Sequence, residues 1–113
     1  MARLIASTEL KDRLQNQDVL LVDVSNEDKF EEGHVPNAVN IPLDSLRDVA
    51  AEQKTQFLRK DYIIVYGENG EDSISDEAAE ILEDLGFERV GNFFGGRAAW
   101  FNAGYNLEGD QAN

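Results

Sequence analysis

The side chains best suited to chemistry lie in one short loop, Gly67, Glu68, Asn69, Gly70, Glu71, Asp72 and Ser73, and at two isolated upstream positions, Asp23 and the lone histidine His34. Ser73 carries the loop's hydroxyl, which acts as a nucleophile only beside a base. No motif supplies one. His34 has no second histidine or cysteine at triad or metal-ligand spacing, and its Gly33-His34-Val35-Pro36 setting reads as a turn. Asp23, at the carboxyl end of an apolar run, could be a general base, but it reads more simply as a buried acid paired with neighbouring backbone or with His34. Glu68, Asn69, Glu71 and Asp72 offer oxygens to Ca²⁺, yet the stretch lacks the twelve-residue EF-hand pattern, so no metal site is assigned. Asn69-Gly70 is a turn signal first and a ligand contact second. With no cysteine in the chain, disulfides, thiolate metal sites and cysteine-based covalent catalysis are excluded. No cofactor is implied.

Charge narrows the partners. The 113 residues carry a formal net charge of -13, from 23 acidic against 10 basic side chains, which opposes binding to a phosphate backbone. Nucleic acid is therefore an improbable partner. Between Gly67 and Glu88 stand nine acids and no Lys or Arg. Pairs such as Asp76 with Glu80 and Glu80 with Asp84 oppose helix formation by about 0.2–0.5 kcal/mol each. Two readings of this stretch stay open: a merely solvated face, and an electrostatic interface for a basic protein partner. No apolar run approaches the roughly 18 residues that span a bilayer, and no signal-peptide core is present at the N-terminus. The expectation is a soluble, cytoplasmic protein with no membrane partner.

These residues need elements to hold them. One domain over 1–113 is expected, with its core at about 5–107 and a flexible tail at about 109–113. The apolar, β-branched runs 19–24 and 62–66 predict strands covered on both faces. Shorter strands are expected over 3–6, 38–41 and 89–94. Helices are expected over 8–15 behind a Ser7 N-cap, over about 44–59 in one or two pieces, from about Ser75, and over 97–103 with Gly104 ending the last. Ser73-Ile74-Ser75-Asp76 has capping-box spacing, with Ser75 as a competing N-cap, and Gly86-Phe87 fits a left-handed C-cap. Pro36 suits position i+1 of a type I or II turn. Trp100 and Phe101 are read as core. Strand and helix alternate, and parallel strands need crossover helices. The predicted fold is α/β, a three-layer α/β/α sandwich of about five mostly parallel strands. In such a sheet a ligand sits outside the carboxyl ends of the strands, which is where the loop 67–73 falls.

Asp23-Val24 at a strand end, followed by Phe30-Glu31-Glu32-Gly33-His34-Val35-Pro36-Asn37-Ala38-Val39-Asn40-Ile41-Pro42-Leu43, resembles the first signature of the rhodanese domain. The strand ending at Tyr66, the helix with Ala78, Ala79 and Leu82, Leu85-Gly86-Phe87, and Gly95-Gly96 with Trp100 resemble its second half. The resemblance implies a sulfurtransferase fold in which a cysteine at the end of the fourth strand carries a persulfide, cradled by the N–H groups of the following loop. That cysteine falls at Gly67. Asp23, Gly33 and His34 are implied to be structural. This chain also departs from the family pattern at Ser25, where an Arg is usual, at Lys29, where an acid is usual, and at Asp72, where a basic or hydroxyl residue is usual. Phosphatase relatives of the fold would need the same cysteine together with a loop Arg. The sequence thus points to an inactive rhodanese-like domain that serves as a protein-binding or regulatory module, with the loop 67–73 as its candidate surface. The alternative is an accessory domain that handles sulfane sulfur or a persulfide carried by a partner protein.

Overall fold

Two apolar strands, Val19–Asp23 (β2) and Tyr62–Tyr66 (β4), lie side by side and in register from Val19 opposite Tyr62 to Asp23 opposite Tyr66. The computed structural model describes residues 2–110. Around that pair are Arg3–Leu4 (β1), Val39–Asn40 (β3) and Val90–Asn92 (β5), giving one five-stranded sheet of order β1-β5-β4-β2-β3 in which every strand pair is parallel. Among the described residues six helices connect and cover the strands: Ser7–Asn16 (α1), Glu27–Glu32 (α2), Leu43–Glu52 (α3), Lys54–Leu58 (α4), Ile74–Asp84 (α5) and Gly96–Asn102 (α6). The expected α/β sandwich of about five parallel strands is the fold observed.

Strand alternation divides the core into two layers. Val22, Val24, Ile63 and Val65 face Leu46 and Ala50 of α3 and Ala78, Ala79 and Leu82 of α5. Leu21, Ile64 and Tyr66 face Leu10 of α1, Phe93 and Trp100 of α6. Each fully buried Leu, Ile or Val contributes about 1.5–3 kcal/mol, so both layers help to hold the helices on the sheet. The break between α3 and α4 falls at Gln53, whose φ of -105° and ψ of 26° leave the helical region.

Several local expectations hold, and others shift. Ala38 N donates to Val35 O, and Asn37 adopts φ 74°, so Pro36 occupies position i+1 of a type II turn. Gly86 takes φ 95° and Phe87 N donates to Leu82 O, the expected left-handed helix end. Ser7, by contrast, lies inside α1, and Ala6 is the N-cap. The capping box at Ser73 does not form. Ser73 is the N-cap by position and its carbonyl accepts from Glu77 N, but its ψ of 10° is not extended and its side chain makes no cap bond. Phe101 is 47% exposed, a correction to its assignment to the core, whereas Trp100 is buried and donates Nε1–H to Asn106 O. Gly109 and Asp110, the first residues of the predicted tail, run beside 31–33, and Asp110 N donates to Glu31 O. Residues 111–113 of that tail lie outside the described residues.

Candidate functional site

Because the strands are parallel, β2 and β4 deliver their carboxyl ends to one edge of the sheet, and the loop 67–73 leaves from there. Asp23, the last residue of β2, is 1% exposed. Its carboxylate accepts from the backbone N of Ser25 at 2.9 Å and from the Ser25 hydroxyl. Of the two predicted partners for Asp23, backbone is the one found, joined by the Ser25 side chain. Burial pushes the Asp23 carboxyl above the ordinary carboxylate range, against the pull of the Ser25 hydrogen bonds and the Arg97 charge. Burial also raises the phenol of Tyr66, and the neighbouring Asp23 charge acts in the same direction. Tyr66 Oη accepts from Val35 N at 3.0 Å and so ties the end of β4 to the Pro36 turn.

His34 is held by that same region. Its ring stacks on Phe30 at 3.8 Å with an interplanar angle of 7°, and Nδ1 lies 2.7 Å from Phe30 O, which requires the Nδ1–H tautomer. Its backbone exchanges hydrogen bonds with Glu108 at 2.7 and 2.9 Å. Gly33 packs against Leu107. Asp23 and His34 are therefore engaged in structural contacts, and neither is presented to Ser73 as a base.

The loop is filled from both sides. A Cβ on Gly67 would stand 2.6 Å from Ile74 Cγ1, 2.8 Å from Ile74 Cδ1 and 3.2 Å from Asp72 Oδ1. The first residue of α5 thus occupies the space that a side chain at position 67 would need. From below, Gly96 adopts φ 66°, and a Cβ there would meet Gly67 O at 2.5 Å. Only glycine permits this approach. It lets Arg97 N and Ala98 N, the first free donors of α6, bond to Gly67 O and Glu68 O at 2.9 Å each. The amides of Glu71, Asp72 and Ile74 are also engaged. Asn69 Oδ1 accepts from Glu71 N at 2.8 Å and from Asp72 N at 3.3 Å, an Asx-turn. Ile74 N has Asp72 Oδ1 at 3.4 Å.

Two residues central to this arrangement carried no signal in the sequence reading. One is Ile74. The other is Arg97, whose Nη1 donates to Lys29 O at 2.9 Å and Gly33 O at 3.0 Å, while Nη2 lies 3.5 Å from Glu68 Oε1. Lys29 Nζ also stands 3.8 Å from Glu68 Oε1. Glu68 is therefore matched by two cations from distant parts of the chain, although the stretch from Gly67 to Glu88 holds no Lys or Arg of its own. At its exposure each ion pair contributes about 0–1 kcal/mol. Arg97 could be anticipated only as a basic residue following Gly95-Gly96. Beside the loop a shallow cleft of about 260 Å³, lined by Ser25, Asn26, Lys29, Leu43, Asp44, Glu68 and Ile74, marks the ligand-facing edge. No group of three or more His, Cys, Asp or Glu among the described residues is arranged to hold a metal ion, and no helix among them is long and apolar enough to cross a membrane.

Comparison with known proteins fits this geometry. The rhodanese-like domain family model matches residues 6–103. The chain is 26% identical over 100 residues to the thiosulfate sulfurtransferase GlpE of Coxiella burnetii, covering 88% of each. It is 33% identical over 104 residues to an HTH-type transcriptional regulator of Mycobacterium tuberculosis, covering 92% of this chain and 44% of the regulator. It spans 65% of the length of a mitochondrial relative from Schizosaccharomyces pombe. Its fold superimposes on the rhodanese-like domain of an Anabaena protein with a TM-score of 0.83 and 29% identity, covering 98% of this chain and 82% of that one. On sequence, fold and the placement of its strand-end loop, the chain belongs to the rhodanese-like domain family, related to sulfurtransferases but without a cysteine.

Proposed function

We propose that this domain does not transfer sulfur and works instead as a protein-binding or regulatory module. One observation carries the reading: at the family's nucleophile position stands Gly67, with Ile74 packed into the space a side chain would use. Covalent sulfur transfer needs a thiolate that attacks the donor and then holds the sulfur, and this chain has none. The Asn69 turn and the α6 contacts further support a loop built for rigidity. What the loop offers to solvent is the exposed Glu71 and the half-buried Asp72, and Phe94, whose backbone runs past Gly70, is 45% exposed. Exposed acidic charge together with an exposed aromatic residue suits a partner with complementary basic and apolar groups. The match to part of a longer transcriptional regulator supports use of such a domain as a module.

Thiosulfate-to-cyanide sulfur transfer by the purified chain is expected to stay at background, and turnover above it would end this reading. A pull-down from the native host with the wild-type chain and with Glu68, Glu71 and Asp72 neutralised together tests the binding half. Loss of one shared partner is expected, and an unchanged partner set would remove the loop from the interface.

A further inference from the structure

The acidic stretch extends past the loop along α5, and there it borders a second concavity. A groove of about 600 Å³ runs between α5 and the β1 edge of the sheet, lined by Leu4, Asp76, Ala79, Glu80, Asp84 and Asn92 among others. Asn92 is 4% exposed and lies in β5. Its Nδ2 donates to Asp76 Oδ1 at 2.7 Å, and that bond fixes which end of the carboxamide is nitrogen. Its Oδ1 is buried and has no donor among the described residues. A buried acceptor left without a donor, in a residue that lines a groove, is the kind of group a ligand satisfies.

The groove's other wall is an open strand edge. Among the described residues β1 pairs only with β5, and Ile5 N donates to Asn92 O. Alternation along the strand then turns the N–H and C=O of Leu4 outward, where the residue is 64% exposed. On the helix side, Glu80 and Asp84 stand one turn apart, and Asp84 is approached by Arg47 at a loose 3.9 Å. The acids are not clustered as metal ligands. Their spread along a helix, opposite a free strand edge, matches an elongated organic cation with its own backbone.

We propose that this groove docks an extended basic segment of a partner protein. The segment lies along β1 and continues the sheet at Leu4, its cationic side chains face Glu80 and Asp84, and one of its donors completes the Asn92 carboxamide. The inference rests on the reading of the domain as a binding module, and it places a second contact, separate from the loop, on the β1 edge and α5.

The test is an amide-resonance titration of the isotope-labelled full chain with a capped pentapeptide of alternating valine and lysine, at low salt. Shifts are expected at the Leu4 amide, the Asn92 side-chain amide, Glu80 and Asp84. Glu80→Gln with Asp84→Asn, both on the helix surface, should weaken the peptide by about tenfold. Neutralising Glu68, Glu71 and Asp72 should change its affinity by less than about twofold. Spermidine, a cation without a peptide backbone, should move Glu80 and Asp84 but leave the Leu4 amide in place. If spermidine reproduces the whole peptide pattern, strand docking is overturned. Shifts confined to 67–73 would overturn the groove and leave the module reading standing. A peptide that moves no resonance also overturns the groove, while the pull-down above decides the module reading separately.

Discussion

Placing a cysteine at position 67 is the most informative perturbation. In Gly67→Cys the new Cβ must enter space held by Ile74, whose Cγ1 and Cδ1 stand 2.6 and 2.8 Å from it. Cδ1 can swing away, but Cγ1 moves only with a change of χ1, and Ile74 packs against the core layer between the sheet, α3 and α5. Overpacking of this kind costs about 1–3 kcal/mol. For a domain of this size the melting temperature should fall by about 4–12 °C. The introduced thiol would also sit close to the Asp72 carboxylate, 3.2 Å from the Cβ position. A neighbouring negative charge disfavours the thiolate, so the nucleophile would be weak even where it fits. Thermal unfolding and thiocyanate formation from thiosulfate and cyanide are the two assays. The single variant should be destabilised and inactive. Adding Ile74→Ala should recover about 1–2 kcal/mol relative to the sum of the two single changes, because the clash is the coupling between them. A Gly67→Cys protein with the wild-type melting temperature and measurable turnover would refute the argument that the cradle is filled.

Three further outcomes follow from the contacts around the loop. Arg97→Ala removes the guanidinium that bridges the carbonyls of Lys29 and Gly33 to Glu68, and should cost about 2–3 kcal/mol in urea unfolding, with Arg97→Lys recovering only part of it. Asn69→Ala removes the acceptor shared by the Glu71 and Asp72 amides, so hydrogen exchange at those two positions should accelerate by about tenfold while α5 keeps its protection. For Asp23 the folded-state pKa is raised by burial, so the folded state binds the proton more tightly than the unfolded chain. Its contribution to stability is fully present below the unfolded value and is lost as pH rises through the folded one. Asp23→Asn keeps an oxygen for Ser25 and removes this titration. Denaturant midpoints measured from acid to neutral pH should fall less steeply for the variant, and an unchanged slope would remove Asp23 from the account.

Much of the architecture is written locally. The unbroken apolar runs of β2 and β4 can only be strands covered on both faces. The spacing of Ala78, Ala79 and Leu82, with Gly86 behind them, sets both the buried face of α5 and its end. Pro36 and Asn37 define a type II turn within four residues, and the loop after Tyr66 is positioned by the parallel sheet alone. The absent cysteine was equally legible. What the sequence could not supply were the contacts made at long separation. The stretch from Gly67 to Glu88 has no cation of its own, yet Lys29 and Arg97 reach Glu68, and Arg47 reaches Asp84. Ser73 makes no capping bond, and its backbone, at ψ 10°, is not in the extended conformation that an N-cap takes. Composition and spacing therefore determined that this is an acidic, cysteine-free α/β domain with a loop at its ligand-facing edge. Only the tertiary structure decided that the loop is closed by Ile74, Asn69 and Gly96, and that the Asn92 side-chain oxygen is buried near the far edge with no donor among the described residues. Steric filling and charge matching depend on which distant side chains the crossovers bring together, and that is not a property of any local window.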